Sequence, residues 1–209
     1  MRDASELADG DDALDTLRKG GQEALAALYA KNRPRLRRMV EIRMDQRLSK
    51  RVDASDVIQE SFLDASKRLD EYLQNPSLPF FVWLRFLVAQ KLSAVQRWHF
   101  QRQKRDPRRE EPMAVAAAMP VDSSVIAHEF SAHLTSPSQL AQRAEVAGQI
   151  QEALDSMDKL DREVLVLRHF EELTNSEVAG ELGLTVGAAS KRYIRALVKL
   201  KDIAPELGQ

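Results

Sequence analysis

Cysteine is absent from the 209 residues, which excludes a disulfide framework, a cysteine-ligated zinc ribbon and thiol chemistry, and suits a reducing compartment. Long apolar runs are absent too. The longest strongly apolar stretch, residues 78–84, stops at Arg85, far short of the ~20 residues a bilayer span needs. The N-terminus carries Asp3, Glu6, Asp9, Asp11, Asp12 and Asp15 in place of the basic start and apolar centre of a secretory signal. Neither export nor membrane insertion is expected, and the expected location is cytoplasmic. Strand alternation is missing throughout, and His99, His128, His133 and His169 show no metal-ligand spacing. With no glycine-rich phosphate loop and no nucleophile motif, an enzyme is the least supported class, no catalytic residue is assigned, and no metal or cofactor is expected.

Net charge is also nearly missing, at −1, but charge is segregated along the chain. Acids crowd the first fifteen residues, whereas residues 31–51 hold nine basic residues against two acids, and residues 97–109 hold six against one. Basic stretches on a neutral chain still create the local field that captures a polyanion; solvated helix faces balanced by nearby acids are the alternative for either run.

The apolar fraction, 44%, is enough for ordinary cores, and its spacing is helical, so the expected fold class is all-α. A first helix is expected over residues 13–29, with an interruption at Gly20 and Gly21. A second follows Pro34, with Leu36, Met39, Val40, Met44 and Leu48 inward. Asp53 is placed to cap a third, whose Ile58, Phe62, Ala65, Leu69 and Tyr72 make one buried stripe. A fourth is expected over residues 79–104, with Phe80, Leu84, Leu87, Val88 and Val95 inward and a basic, aromatic end at Arg97, Trp98, Phe100 and Arg102. Residues 106–138 hold four prolines and an alanine-rich patch and read as linker, with room for a short helix over 125–133. Helical spacing resumes at Leu140 and continues to the C-terminal hairpin.

That hairpin is the most specific signal in the chain. Thr174 and Glu177 have the spacing of a capping box, in which hydroxyl and carboxylate each satisfy an orphan helix N–H. Val178, Ala179 and Leu182 give an apolar face, Gly183 supplies a left-handed hinge, and Leu184 plugs the corner. Thr185 then caps a second helix with Lys191, Arg192 and Arg195 outward and Ala189, Tyr193, Ala196 and Leu200 inward. This is the pattern of a helix-turn-helix with its groove-reading helix second. Response-regulator output domains and repressors use the same hairpin, and a plain helical hairpin with solvated charges is the bland alternative.

Asp56, Gln59, Glu60, Ser61, Phe62 and Leu63, then Trp83 and Leu84, the basic stretch from Arg97, residues 160–170, and the hairpin with Val186 and Gly187 follow one another in two helical domains joined by a polar linker. In this order they resemble the sigma-70 family of bacterial RNA polymerase initiation factors, and within it the small group-four, extracytoplasmic-function (ECF) branch. The resemblance implies a region 2-like domain over residues 12–104, a flexible linker over 105–138 and a region 4-like domain over 139–202. It further implies that Asp56, Gln59, Glu60 and Leu63 dock on the clamp helices of the largest subunit of core RNA polymerase. Arg85, Arg97, Trp98, Arg102 and Arg105 would take the unpaired minus-ten strand of promoter DNA. Thr185, Ser190, Lys191, Arg192, Ile194, Arg195 and Lys199 would meet the minus-thirty-five element, with Lys201 on phosphate. Trp83, like Phe80 and Phe86, is expected in the core and not against a base.

The chain departs from the family pattern at Ser190, where many relatives carry a basic residue, and at Gln90 and Ala94, where Asn and Asp are usual. An anti-sigma factor or other regulator is left open as a further partner. The competing reading is a stand-alone helix-turn-helix regulator whose N-terminal half senses a signal or dimerises.

Overall fold

The caps and stripes legible in the sequence produce helices. In the computed structural model of the chain, residues 3–49, 51–101, 121–134 and 140–201 are described, and every regular element among them is helical. The chain divides into two compact units, Met1–Met119 with Gly180–Gly183, and Pro120–Ala179 with Leu184–Gln209.

The first unit is built from α1 (Asp3–Arg43), a single turn α2 (Gln46–Ser49), α3 (Ala54–Gln74) and α4 (Phe80–Gln101), with α1, α3 and α4 in mutual contact. Gly21 breaks α1 with φ +51°, a conformation that glycine adopts without steric cost. The expected break at Pro34 does not occur, and α1 runs through it. Proline forfeits one backbone hydrogen bond, but Leu25, Tyr29, Leu36, Met39 and Val40 form one buried stripe across it. The packing of that stripe outweighs the lost bond, while the Pro34 ring stays on the exposed side.

Asp53 starts α3 as expected, its carboxylate accepting from the Ser55 N–H at 2.8 Å. Ile58, Ala65, Leu69 and Tyr72 are buried on one side, and Phe62 meets Tyr29 edge to face at 5.0 Å. The Tyr29 hydroxyl donates to the Ile58 carbonyl at 2.7 Å, and burial pushes its pKa well up. Tyr72 closes the α3–α4 corner: its hydroxyl donates to the Leu78 carbonyl at 2.9 Å, its ring stacks on Trp83 at 4.3 Å, and burial raises its pKa to about 12.

In the second unit α5 (Ser123–Leu134) packs on α6 (Leu140–Asp155), so part of the stretch that reads as linker is a helix carried by this unit. Asp158 caps α7 (Lys159–Leu165) by accepting from the Leu160 N–H at 2.9 Å. The helix then widens into a π-helical turn, Val166–Phe170, closed by a bond from Glu171 N–H to the Val166 carbonyl at 3.1 Å. Phe130, Ile150, Leu154, Leu167, Phe170 and Leu173 are buried in its core. The hairpin follows as α8 (Asn175–Leu182) and α9 (Val186–Lys201). No described helix is long and apolar enough to cross a membrane.

Candidate nucleic-acid interface

The hairpin forms with the local chemistry its sequence specifies. The Thr174 N–H donates to Glu177 Oε2 at 2.8 Å while the Glu177 N–H donates to Thr174 Oγ1 at 3.1 Å, the reciprocal pair of a capping box. Gly183 takes φ +63°, and the Leu184 N–H returns to the Ala179 carbonyl at 2.9 Å, the six-to-one bond of a Schellman stop. Thr185 then caps α9, its Oγ1 accepting from the Ala188 N–H at 3.2 Å. Ala189, Ala196 and Leu200 of α9 are buried, and the helix packs on α7 and α6.

Around the rest of α9 the expected reading residues divide between two faces. Lys191 and Ile194 are exposed, Ile194 at 57%, and Val198 at 55% continues their stripe at the next helical step. Gly187 is exposed on the same side, and Ser190 at its border is half-buried. Arg192, Arg195 and Lys199 share a different face and are all engaged within the second unit. Arg195 donates from Nε to Asp161 Oδ2 and from Nη2 to Asp161 Oδ1, both at 2.6 Å, and Arg192 Nη1 reaches Asp161 Oδ1 at 2.6 Å. Arg192 also lies 3.4 Å from the helix-capping Asp158, and Lys199 Nζ donates to the Ser156 carbonyl at 2.8 Å. Sequence reasoning missed Asp161, Asp158 and Ser156, because partners some thirty to forty residues away along the chain leave no periodic signal.

Asp161 is 8% exposed, and hydrogen bonds from Arg195, assisted by Arg192, hold its carboxyl below the usual aspartate range against the opposing pull of burial. The same pairing raises the Arg195 guanidinium. A depressed carboxyl contributes stability that is fully present above the unfolded value near 4 and is lost as pH falls through the folded value. The wild type should therefore melt above Asp161→Asn at pH 7, reflecting about 1–3 kcal/mol, and this gap should narrow as pH is lowered from 7 to 3. A gap independent of pH would contradict the assignment.

In the first unit Asp56, Gln59, Glu60 and Leu63 lie along one exposed face of α3 at helical spacing. Leu63 is 53% exposed, an apolar anchor among polar groups. Lys91 of α4 pairs with Glu60 at 2.6 Å. Of the five residues expected at the minus-ten strand, Arg97 is exposed and Trp98 is 54% exposed, its ring edge to face with His99 at 4.6 Å. Arg102 and Arg105 lie outside the described residues.

Arg85 is 1% exposed. This part of α4 is buried all round, from Phe80 to Arg85, and the Arg85 guanidinium is ion-paired there with the buried side chain of Glu181. Gln90, half-buried, accepts from Arg68 Nη1 at 3.3 Å, and Ala94 is exposed. Part of the 31–51 basic run is neutralised locally, Arg37 by Glu41 at 2.7 Å and Arg47 by Asp45 at 3.0 Å. Trp83, buried and stacked on Tyr72, is a core residue as expected. No group of three or more acidic or histidine side chains suited to a metal occurs among the described residues.

Comparison with known proteins agrees with this geometry. Residues 147–200, from α6 to the end of α9, match the family model for sigma-70, region 4. The RNA polymerase sigma factor CnrH of Cupriavidus metallidurans is 29% identical over 151 residues, covering 72% of this chain and 73% of the relative. The structure of CnrH in complex with the cytosolic domain of CnrY superposes with a TM-score of 0.50 at 23% identity, covering 95% of this chain and 98% of that one, a likeness of fold. Residues 147–200 thus carry the pattern of sigma-70, region 4, and over 72% of its length the chain is similar to an RNA polymerase sigma factor.

Proposed function

We propose that the exposed ridge of α3, Asp56, Gln59, Glu60 and Leu63, is the main docking surface for core RNA polymerase on the clamp helices of its largest subunit. Charged and polar groups steer the encounter while the exposed leucine supplies the apolar anchor. The end of α4, with Arg97 and Trp98, takes the unpaired minus-ten strand together with Arg102 and Arg105, since cations track the backbone and an exposed indole offers a stacking face. In the second unit α9 enters the major groove of the minus-thirty-five element, presenting Lys191, Ile194 and Ser190 to the bases, with Thr185 fixing the start of the helix. Arg192, Arg195 and Lys199 flank that face.

The protein works in the cytoplasm and has no catalytic site of its own, the chemistry of RNA synthesis belonging to the polymerase. A protein regulator is part of this reading, by analogy with CnrH, whose structure holds the cytosolic domain of CnrY.

The observation that carries the reading is the capped, glycine-hinged hairpin inside the residues that match region 4. Its test is reconstituted transcription from a promoter library with core polymerase. The expected result is initiation at a shared pair of promoter elements, with Lys191→Ala or Ile194→Ala altering the selected upstream element and leaving association with core intact. A single bidentate or methyl contact is worth about 1–3 kcal/mol of base discrimination, so roughly 5- to 150-fold. Selection of the same upstream element by both variants would overturn the placement of α9.

A further inference from the structure

On a helix that meets a polyanion, the two arginines Arg192 and Arg195 face a carboxylate of their own unit. Asp161 accepts three hydrogen bonds from them, each at 2.6 Å, and Asp158 stands 3.4 Å from Arg192. Two arginines thus meet two carboxylates that offset their charge, while Lys199 on the same flank is held by the uncharged Ser156 carbonyl. The stripe of Lys191, Ile194 and Val198 has no such tie and is exposed.

The Arg195 side chain is itself 61% exposed, but for a DNA phosphate to draw both arginines off Asp161, at 8% exposure, that carboxylate would have to surrender its donors with little water to replace them. A buried carboxylate stripped of its partners is strongly disfavoured. Phosphate attraction is blind to sequence, whereas contacts to base edges are not.

We propose that Asp161 sets the sequence-blind affinity of α9 for duplex DNA: by holding Arg192 and Arg195 it withholds two cations from DNA phosphate and leaves base contact to the exposed Lys191–Ile194–Val198 face. The inference rests on α9 being the groove helix. Its chemical content is that Asp161 lowers affinity for any duplex, matched or unmatched, by the same sequence-blind factor and reduces its dependence on salt.

The test uses full-length protein assembled with core polymerase, on duplex promoter probes carrying either the selected upstream element or a scrambled one, titrated with KCl. Each phosphate contact contributes about 0.9 to the slope of log K against log salt. Asp161→Asn should therefore steepen the slope by about 1.8, a further roughly 12-fold change across a fourfold range of salt. Binding to the scrambled and the matched probe should rise by the same factor. Replacing Arg192 and Arg195 by glutamine should leave the wild-type slope unchanged, and the same replacement in the Asp161→Asn background should abolish the steepening.

A slope that Asp161→Asn does not move, with only a lower melting temperature, reduces Asp161 to a structural role and overturns the proposal. Where the asparagine variant fails to fold, the arginine replacements alone decide: a slope that falls by about 1.8 shows the arginines already on phosphate, which also overturns it. Wild-type protein that assembles but does not distinguish matched from scrambled probe removes the α9 reading itself, and this proposal with it. Discrimination without the Asp161 effect removes this proposal alone.

Discussion

Leu63→Asp is expected to weaken association with core RNA polymerase at least about 30-fold, the loss typical of an interface hot spot, without lowering the melting temperature. Leu63 is 53% exposed and stands with Asp56, Gln59 and Glu60 on the side of α3 opposite Ile58, Ala65 and Leu69. A new carboxylate there is fully hydrated in the free protein and costs folding little. In the proposed complex it would lose its water where the leucine supplied the apolar anchor, with no partner of its own to replace it. Binding of labelled core polymerase by wild type and variant, beside their thermal melts, checks both halves. Equal affinity would move the docking surface away from this ridge, and a lowered melting temperature would show that Leu63 packs in the fold.

The second large effect separates the two tryptophans. Trp83→Ala should destabilise the first unit by about 3–5 kcal/mol, a fall of roughly 15–30 °C in melting temperature for a unit of this size. Its ring is buried and stacks on Tyr72 at 4.3 Å, and Phe80 lies 6.0 Å away in the same cluster. Trp98→Ala should leave the melting temperature nearly unchanged, because the ring is 54% exposed. It should instead weaken capture of single-stranded minus-ten DNA by about 1–3 kcal/mol, the worth of one base stacked on an aromatic ring. Thermal melts and binding of a single-stranded probe to the assembled polymerase give the two readouts. A folding defect in Trp98→Ala, or none in Trp83→Ala, would reverse the assignment of core and contact.

The sequence carried the local part of this architecture well. Cap chemistry and chain reversal are decided within a few residues, so Thr174 with Glu177, Gly183, Thr185 and Asp53 could each be read as they stand. The α3 stripe was equally legible, because burial of one helix face imposes its own period. Longer-range competition was not. Pro34 signals a break by its missing N–H, yet the apolar stripe on both sides holds α1 together. Arg85 looks like a DNA cation by type, while it lies buried and ion-paired with Glu181, 96 residues away along the chain. Arg192 and Arg195 show the same gap in another form. Their charge was plain, but the acid that engages them sits on another helix and becomes a neighbour only when α9 packs on α7.

The central claim is that an all-helical chain with an acidic, leucine-anchored ridge on its first unit is a subunit that joins RNA polymerase. The most direct measurement is the dissociation constant of purified full-length protein with bacterial core polymerase at low and moderate salt. The account predicts a one-to-one complex that survives moderate salt and is lost with Leu63→Asp. No association even at low salt, with duplex DNA binding indifferent to the polymerase, would contradict it.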